Sequence, residues 1–169
     1  LAGKVNKKIV SMIHEQGGSA VGLTGKDGQM IEAKKLEKGR IDLGFVGEIT
    51  KVHTKLINTL IEGDFIPVIA PIGTDKEGHT YNINADYVAV AVAGALNAQK
   101  LVFLTDVEGV LKDKENPSSL ISYLSKSEAV EYLEDGTIKG GMIPKVTCCL
   151  EAIDKGVEMV HILDGRVQH

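Results

Sequence analysis

Cysteine is almost missing from this chain: Cys148 and Cys149 are the only two among 169 residues. Being adjacent, they are too close along the backbone for ordinary disulfide geometry, so a disulfide scaffold is excluded and a reduced, cytoplasmic protein is expected. No CxxC occurs and the five histidines are scattered, which leaves a structural zinc site without ligands at workable spacing. No apolar run approaches the ~20 residues that a membrane-spanning helix needs. No basic n-region and apolar h-region mark a secretory leader. An excess of positive charge is lacking too: Lys+Arg 19 against Asp+Glu 23 gives a formal net charge of -4, which argues against nucleic acid or an anionic membrane as partner. Lys34, Lys35, Lys38 and Arg40 are interleaved with Glu32, Glu37 and Asp42, the pattern of a solvated hairpin surface rather than a basic patch.

Common catalytic signatures are also lacking. A Walker A loop around Gly25-Lys26 would need glycine at position 20 and serine or threonine at position 27, where Ala20 and Asp27 stand. GxGxxG, HExxH and GxSxG do not occur. The chain starts at Leu1-Ala2-Gly3 without an initiator methionine and stops after the strand-like run ending near Asp164, so it is read as a piece of something longer.

With 43% hydrophobic and 25% charged residues, the composition is that of a soluble globular protein, and its length suits one α/β domain spanning residues 1–169. Helical spacing of Val5, Ile9, Met12, Ile13 and Gln16 predicts an amphipathic helix over residues 3–16, ended by Gly17-Gly18. Ala20–Leu23, Phe65–Ala70, Leu101–Thr105 and Val157–Leu163 read as short apolar strands. Residues 30–52 form a hairpin excursion around Gly39 and Gly44, and a helix follows over residues 53–63. Thr74–Tyr81 reads as a polar turn. The helix from Asn84 to Asn97 is apolar nearly all round, hence largely buried. Ser125-Lys126-Ser127-Glu128 fits a capping box, Asp135 and Gly136 end that helix, and Gly140-Gly141 precede a last one through Lys155. Helices alternating with β-branched apolar strands predict an open, mostly parallel sheet flanked by helices on both faces, with ligands beyond the carboxyl ends of the strands. The turns after Ala70 and Thr105 fall there.

Two patterns carry chemistry. Tyr81-Asn82-Ile83-Asn84-Ala85-Asp86 puts polar side chains at alternate positions of an extended segment that runs into a helix, whose first turn offers free N–H groups and partial positive charge to an anion. Capping by Asn84 and a dipole-compatible Asp86 explain the same residues without a ligand. In Gly140-Gly141-Met142-Ile143-Pro144-Lys145, proline fixes the first helical turn, so Lys145 opposes the macrodipole unless an anion is present. A phosphate resolves that conflict; an exposed, screened lysine is the other explanation.

On these residues the chain resembles the N-acetylglutamate kinases of the amino-acid kinase superfamily. Leu1–Lys7, Ala20–Leu23, Gly25–Gly28, Gly44–Gly47, Phe65–Gly73, Tyr81–Asp86, Leu104–Leu111, Gly140–Val146 and His161–Arg166 carry the resemblance, nearly end to end. It implies transfer of the ATP γ-phosphoryl, with Mg²⁺, to the side-chain carboxylate of N-acetyl-L-glutamate in arginine biosynthesis, with no tightly bound metal. It implies that Asn82 holds the acetylglutamate, that Asp86 organises the catalytic lysines, and that Lys145 neutralises the transferring phosphoryl group. Asp106, Val107, Glu108, Gly109, Val110 and Leu111, with Thr137, Ile138 and Lys139, are implied to line the ATP site, and His161 to belong to a site for the feedback inhibitor L-arginine. A homo-oligomer is implied for the full-length protein. The family's glycine-rich N-terminal segments, second catalytic lysine and substrate-gripping arginine would lie before Leu1, and the family continues past His169, so little or no kinase activity is expected of this chain alone. A non-catalytic nucleotide-binding or regulatory module is the alternative, as are related kinases acting on acetylaminoadipate, aspartate, carbamate or UMP.

Overall fold

The computed structural model describes residues 1–37, 39, 41–113 and 115–167. Lys38, Arg40 and His169, named above, lie outside them. The chain forms two compact units, Leu1–Ala95 and Leu96–His169. No helix among the described residues is long and apolar enough to cross a membrane.

The first unit opens with α1 (Lys4–Glu15), which the left-handed Gly17 (φ 83°) ends. Its apolar stripe is not the face that packs. Val5, Ile9 and Met12 stay exposed, and Asn6 is the buried residue. Asn6 Nδ2 donates to the Val68 carbonyl at 2.8 Å and to that of Leu23 at 3.4 Å, tying the helix to strands β1 (Ala20–Thr24) and β4 (Ile66–Ala70). The helical period explains the difference, because Asn6, Val10 and Ile13 form a stripe of their own beside the exposed one. Lys7 Nζ reinforces the join by donating to the Gly22 carbonyl at 2.8 Å.

β1 and β4 pair in parallel from Ala20↔Ile66 to Thr24↔Ala70. Between them in sequence come β2 (Ile31–Lys35), β3 (Gly47–Val52) and α2 (Lys55–Glu62). β2 and β3 form the expected hairpin, antiparallel with a register shift at Glu32/Ala33. Lys34–Glu48 and Lys35–Asp42 ion pairs, both 2.7 Å, cover its surface, as interleaved charge requires. The stretch expected to be a polar turn is part of a second hairpin, β5 (Ile72–Thr74) with β6 (Thr80–Asn82). Tyr81 decides this: its ring is buried while Thr80 and Asn82 face outward, and period-2 alternation favours a strand over a turn. These strands complete a mixed four-stranded sheet of order β3-β2-β5-β6. Helix α3 (Ala85–Ala95) buries Val88, Val90 and Ala93, but Tyr87 is 50% exposed, so part of its surface stays open.

In the second unit β7 (Lys100–Thr105) and β8 (Met159–Asp164) pair in parallel, ending together at Thr105↔Asp164. Helices α4 (Lys126–Glu134) and α5 (Met142–Asp154) lie between them in sequence. Both halves of the capping box on α4 are formed: Glu128 N donates to Ser125 Oγ and Ser125 N to Glu128 Oε2. Val110, Ala129, Ile138 and Val146 make the core, with Leu124, Tyr132 and Ile162 against it. On β7, Leu101 and Phe103 are buried while Val102 and the 70%-exposed Leu104 alternate outward. The α/β class read from the alternation of elements is the architecture found, with β1–β4 and β2–β5 pairing in parallel in the first unit and β7–β8 in the second.

Candidate functional site

Asn82 and Asp86 lie in the first unit, at the end of β6 and in the first turn of α3. The Ile83 amide donates to the Pro71 carbonyl at 3.0 Å, which lays this segment beside the carboxyl end of β4. Asn82 is exposed; its amide donates to the Phe45 carbonyl at 2.8 Å, leaving the side chain clear of the strand ladder. Asn84 caps the helix, its Oδ1 accepting from the Asp86 amide at 2.8 Å and its carbonyl from the Val88 amide at 3.1 Å. Capping therefore accounts for Asn84, while Asn82 has no such task.

The β5–β6 hairpin that carries Asn82 is closed by Asp75. Its Oδ2 accepts from the Tyr81 hydroxyl at 2.8 Å and lies 2.9 Å from His79 Nδ1, and its Oδ1 accepts from the His79 amide at 2.8 Å. Partial burial pushes this carboxyl up, but hydrogen bonds from Tyr81 and His79 outweigh that and bring it down to about 2. Glu77 and His79 each bring a metal-ligating atom within 4.8 Å of one on Asp75, yet the Asp75 carboxylate is already engaged. A carboxyl held below its ordinary 3.8 gives the folded state fewer bound protons than the unfolded chain in this range. The clamp's stabilisation is thus fully present above pH ~4 and lost as pH falls through ~2. A carbon-detected NMR titration is expected to place the Asp75 midpoint near 2, and Tyr81→Phe to raise it. A wild-type midpoint at the ordinary value would show that the clamp does not form in solution.

The remaining candidates lie in the second unit. Asp106–Leu111 leave the carboxyl end of β7, and Thr137–Lys139 connect α4 to α5. Val110 and Ile138 are both buried in one core cluster with Val146 of α5, so their side chains anchor the two segments and leave the backbone and the exposed Asp106, Glu108 and Lys139 to face outward. Lys145 stands one residue before that core. Helix α5 has no side-chain N-cap and no acid in its first turn, so the positive end of its dipole is not offset there. The Lys145 ammonium lies 5.3 Å from the centre of the buried Phe103 ring, within cation–π range. The stack points Lys145 toward β7 rather than into open solvent. A half-buried cation at an uncapped helix start suits an anion.

The family resemblance implies that His161 belongs to an arginine site. It is exposed, and with Tyr123, Cys149 and Leu150 it lines a cavity of about 560 Å³ along β8. Sequence reading passed over Phe103, Asp75, Asp164 and Arg166 as site residues. An aspartate closing an apolar strand, followed two residues later by arginine, was the available signal for the last two.

Residues 1–164 match the amino acid kinase family. The chain belongs to that family. Among amino acid kinases it is 59% identical, over its entire length, to the acetylglutamate kinase of Solidesulfovibrio magneticus, of which it spans 59%. Solved structures share the fold. The smu.665 protein of Streptococcus mutans superposes with a TM-score of 0.81 at 33% identity, over 95% of this chain and 63% of that one. N-acetylglutamate synthase of Neisseria gonorrhoeae, complexed with coenzyme A and L-arginine, superposes with a TM-score of 0.70 at 25% identity, over 88% of this chain and 33% of that one.

Proposed function

We propose that this amino acid kinase chain belongs to an acetylglutamate kinase, which moves the γ-phosphoryl of ATP to the side-chain carboxylate of N-acetyl-L-glutamate. The observation that carries this reading is identity of 59% to a curated acetylglutamate kinase across all of the chain. The geometry supports it: Lys145 and the uncapped start of α5 supply positive charge beside β7, in the same unit as the loop that takes the nucleotide.

The chemistry asks little more of the protein. A carboxylate acceptor with a pKa of about 4.3 is already ionised at neutral pH, so no general base is required. What remains is to align donor and acceptor and to neutralise the charge that develops during in-line transfer. Asp106–Leu111 and Thr137–Lys139 take the nucleotide, Lys145 the transferring phosphoryl group and Asn82 the acetylglutamate, while Asp86 orients the cationic groups. Mg²⁺ arrives with ATP as part of the substrate. Catalysis requires the further length of the whole protein, so this chain alone turns over poorly, and its two free thiols fit the cytoplasm.

Calorimetry tests the assignment on the chain itself. ADP is expected to bind, Asp106→Ala to weaken it about tenfold or more, and Asn82→Ala to change it less than about twofold, since one lost hydrogen bond to a charged group is worth roughly that first factor. Equal effects of the two variants would remove the division of labour. In the whole protein, hydroxylamine trapping of the acyl phosphate identifies the acceptor, and no hydroxamate from N-acetylglutamate would overturn the substrate. L-arginine belongs to the proposal as a regulator, supported by the exposed His161 and by the arginine bound to the gonococcal synthase; unchanged arginine sensitivity of the whole protein in His161→Asn would remove it.

A further inference from the structure

The buried Asp164 and the exposed Arg166 form a clamp that none of the chemistry above uses. Asp164 is 4% exposed and closes β8. Its Oδ1 accepts from the Arg166 amide and from Arg166 Nε, both at 2.9 Å, and its Oδ2 accepts from Nη2 at 2.7 Å. The same Nη2 reaches across to donate to the Asp106 carbonyl at 2.6 Å, and the Gly165 amide donates to the Thr105 carbonyl at 2.9 Å. The turn after β8 is therefore fastened to the first peptide after β7, sixty positions away in sequence.

We propose that Arg166 is a positioning residue for nucleotide binding: it fixes the Asp106 peptide, and through it the course of the Asp106–Leu111 loop. The inference rests on the reading of that loop as an ATP-binding segment. Strand pairing stops at Thr105↔Asp164, and the next backbone tether along the loop is the Val110 carbonyl, which accepts from the Ile121 amide at 2.9 Å. Between these points the guanidinium holds the chain. Gly109 within the loop adopts φ 150°, a backbone conformation that favours glycine. Asp164 beside it, with Asp106 and Glu108 further off, favours the charged form of the Arg166 guanidinium. Lysine cannot replace it, because one ammonium lacks the planar fork that grips both carboxylate oxygens and reaches a carbonyl at once.

ADP calorimetry and amide hydrogen exchange on the chain, with Arg166→Gln and Arg166→Lys, test the proposal. The glutamine variant is expected to lose about tenfold in ADP affinity, the worth of a charged hydrogen bond, and lysine to recover only part of it. Exchange is expected to quicken at Val107–Gly109 while β7 and β8 amides keep their protection. A purely structural role would instead speed exchange along both strands, and that outcome overturns the proposal even if affinity falls. ADP affinity within twofold of wild type in both variants also overturns it. Failure of the wild-type chain to bind ADP would count against the nucleotide reading, and exchange at Val107–Gly109 would still decide whether Arg166 holds the loop. If the glutamine variant does not fold, the lysine variant carries both measurements.

Discussion

Lys145→Met in the whole protein is expected to lower kcat by about 10²–10³, the usual effect of deleting one preorganised group that meets charge developing in a transition state. Methionine keeps an unbranched stem beside Phe103, forfeiting a cation–π contact worth roughly 0.5–1 kcal/mol. It also relieves a cation at the wrong end of a helix dipole, an effect of similar size, roughly 0.3–1 kcal/mol, and opposite sign. These two effects have opposite signs, and the loss of turnover is the expected readout. Retention of more than half the wild-type kcat would return Lys145 to the status of an ordinary helix lysine.

The same contrast between local cost and use separates what the sequence made legible from what it did not. Gly140-Gly141 with Pro144 placed Lys145 in the opening of α5 because both residue types act through their own backbone. Ser125 and Glu128 likewise announced a helix start that the structure forms with both hydrogen bonds. Long-range partners were not legible. Nothing within the Val5–Ile9–Met12 pattern says that Asn6, rather than that apolar stripe, is the buried residue, since the choice is made by carbonyls of Leu23 and Val68 far along the chain. Thr74–Tyr81 misled for a related reason: its turn-forming residues are real, but Tyr81 is recruited into a strand by Ile72–Thr74 across the hairpin. Arg166 stands in the same class, because its partner on Asp106 becomes adjacent only when β7 and β8 pair.

The candidate residues differ in visibility for structural reasons. Asn82, Asp86, Asp106 and Lys145 each stand at the end of a strand or the start of a helix, positions that composition and periodicity mark. The groups that hold those residues in place come from elsewhere in their own unit: in the first, Asp75 on the hairpin bearing Asn82; in the second, Phe103 under Lys145 and the Asp164–Arg166 clamp on the loop of Asp106. Substituting the first set is expected to change chemistry at nearly constant stability. Substituting the second changes geometry first.

The largest expected loss of stability belongs to a residue with no side chain. Gly25→Ala would put a Cβ 2.1 Å from the Ile72 carbonyl oxygen and 2.6 Å from Ile31 Cβ. Neither can give way cheaply. Ile72 is the first residue of β5 and is paired with Asn82, and Ile31 is fully buried while its amide donates to the Gly25 carbonyl itself at 2.9 Å. Overpacking a well-filled core typically costs about 1–3 kcal/mol. A clash with backbone on one side and a buried β-branched carbon on the other belongs at or above the top of that range, against a total of roughly 5–15 kcal/mol for a domain. Urea unfolding is expected to show the loss as a lower midpoint, or expression to show it as insoluble protein. Gly141→Ala is the matched control, because a Cβ there meets nothing within 4 Å and φ is -65°, so its midpoint should be unchanged or slightly higher. Equal midpoints for the two variants would mean that Gly25 and Ile72 do not approach as closely in solution, and the sharp exit of β1 into the Lys26–Asp27 turn would need another cause.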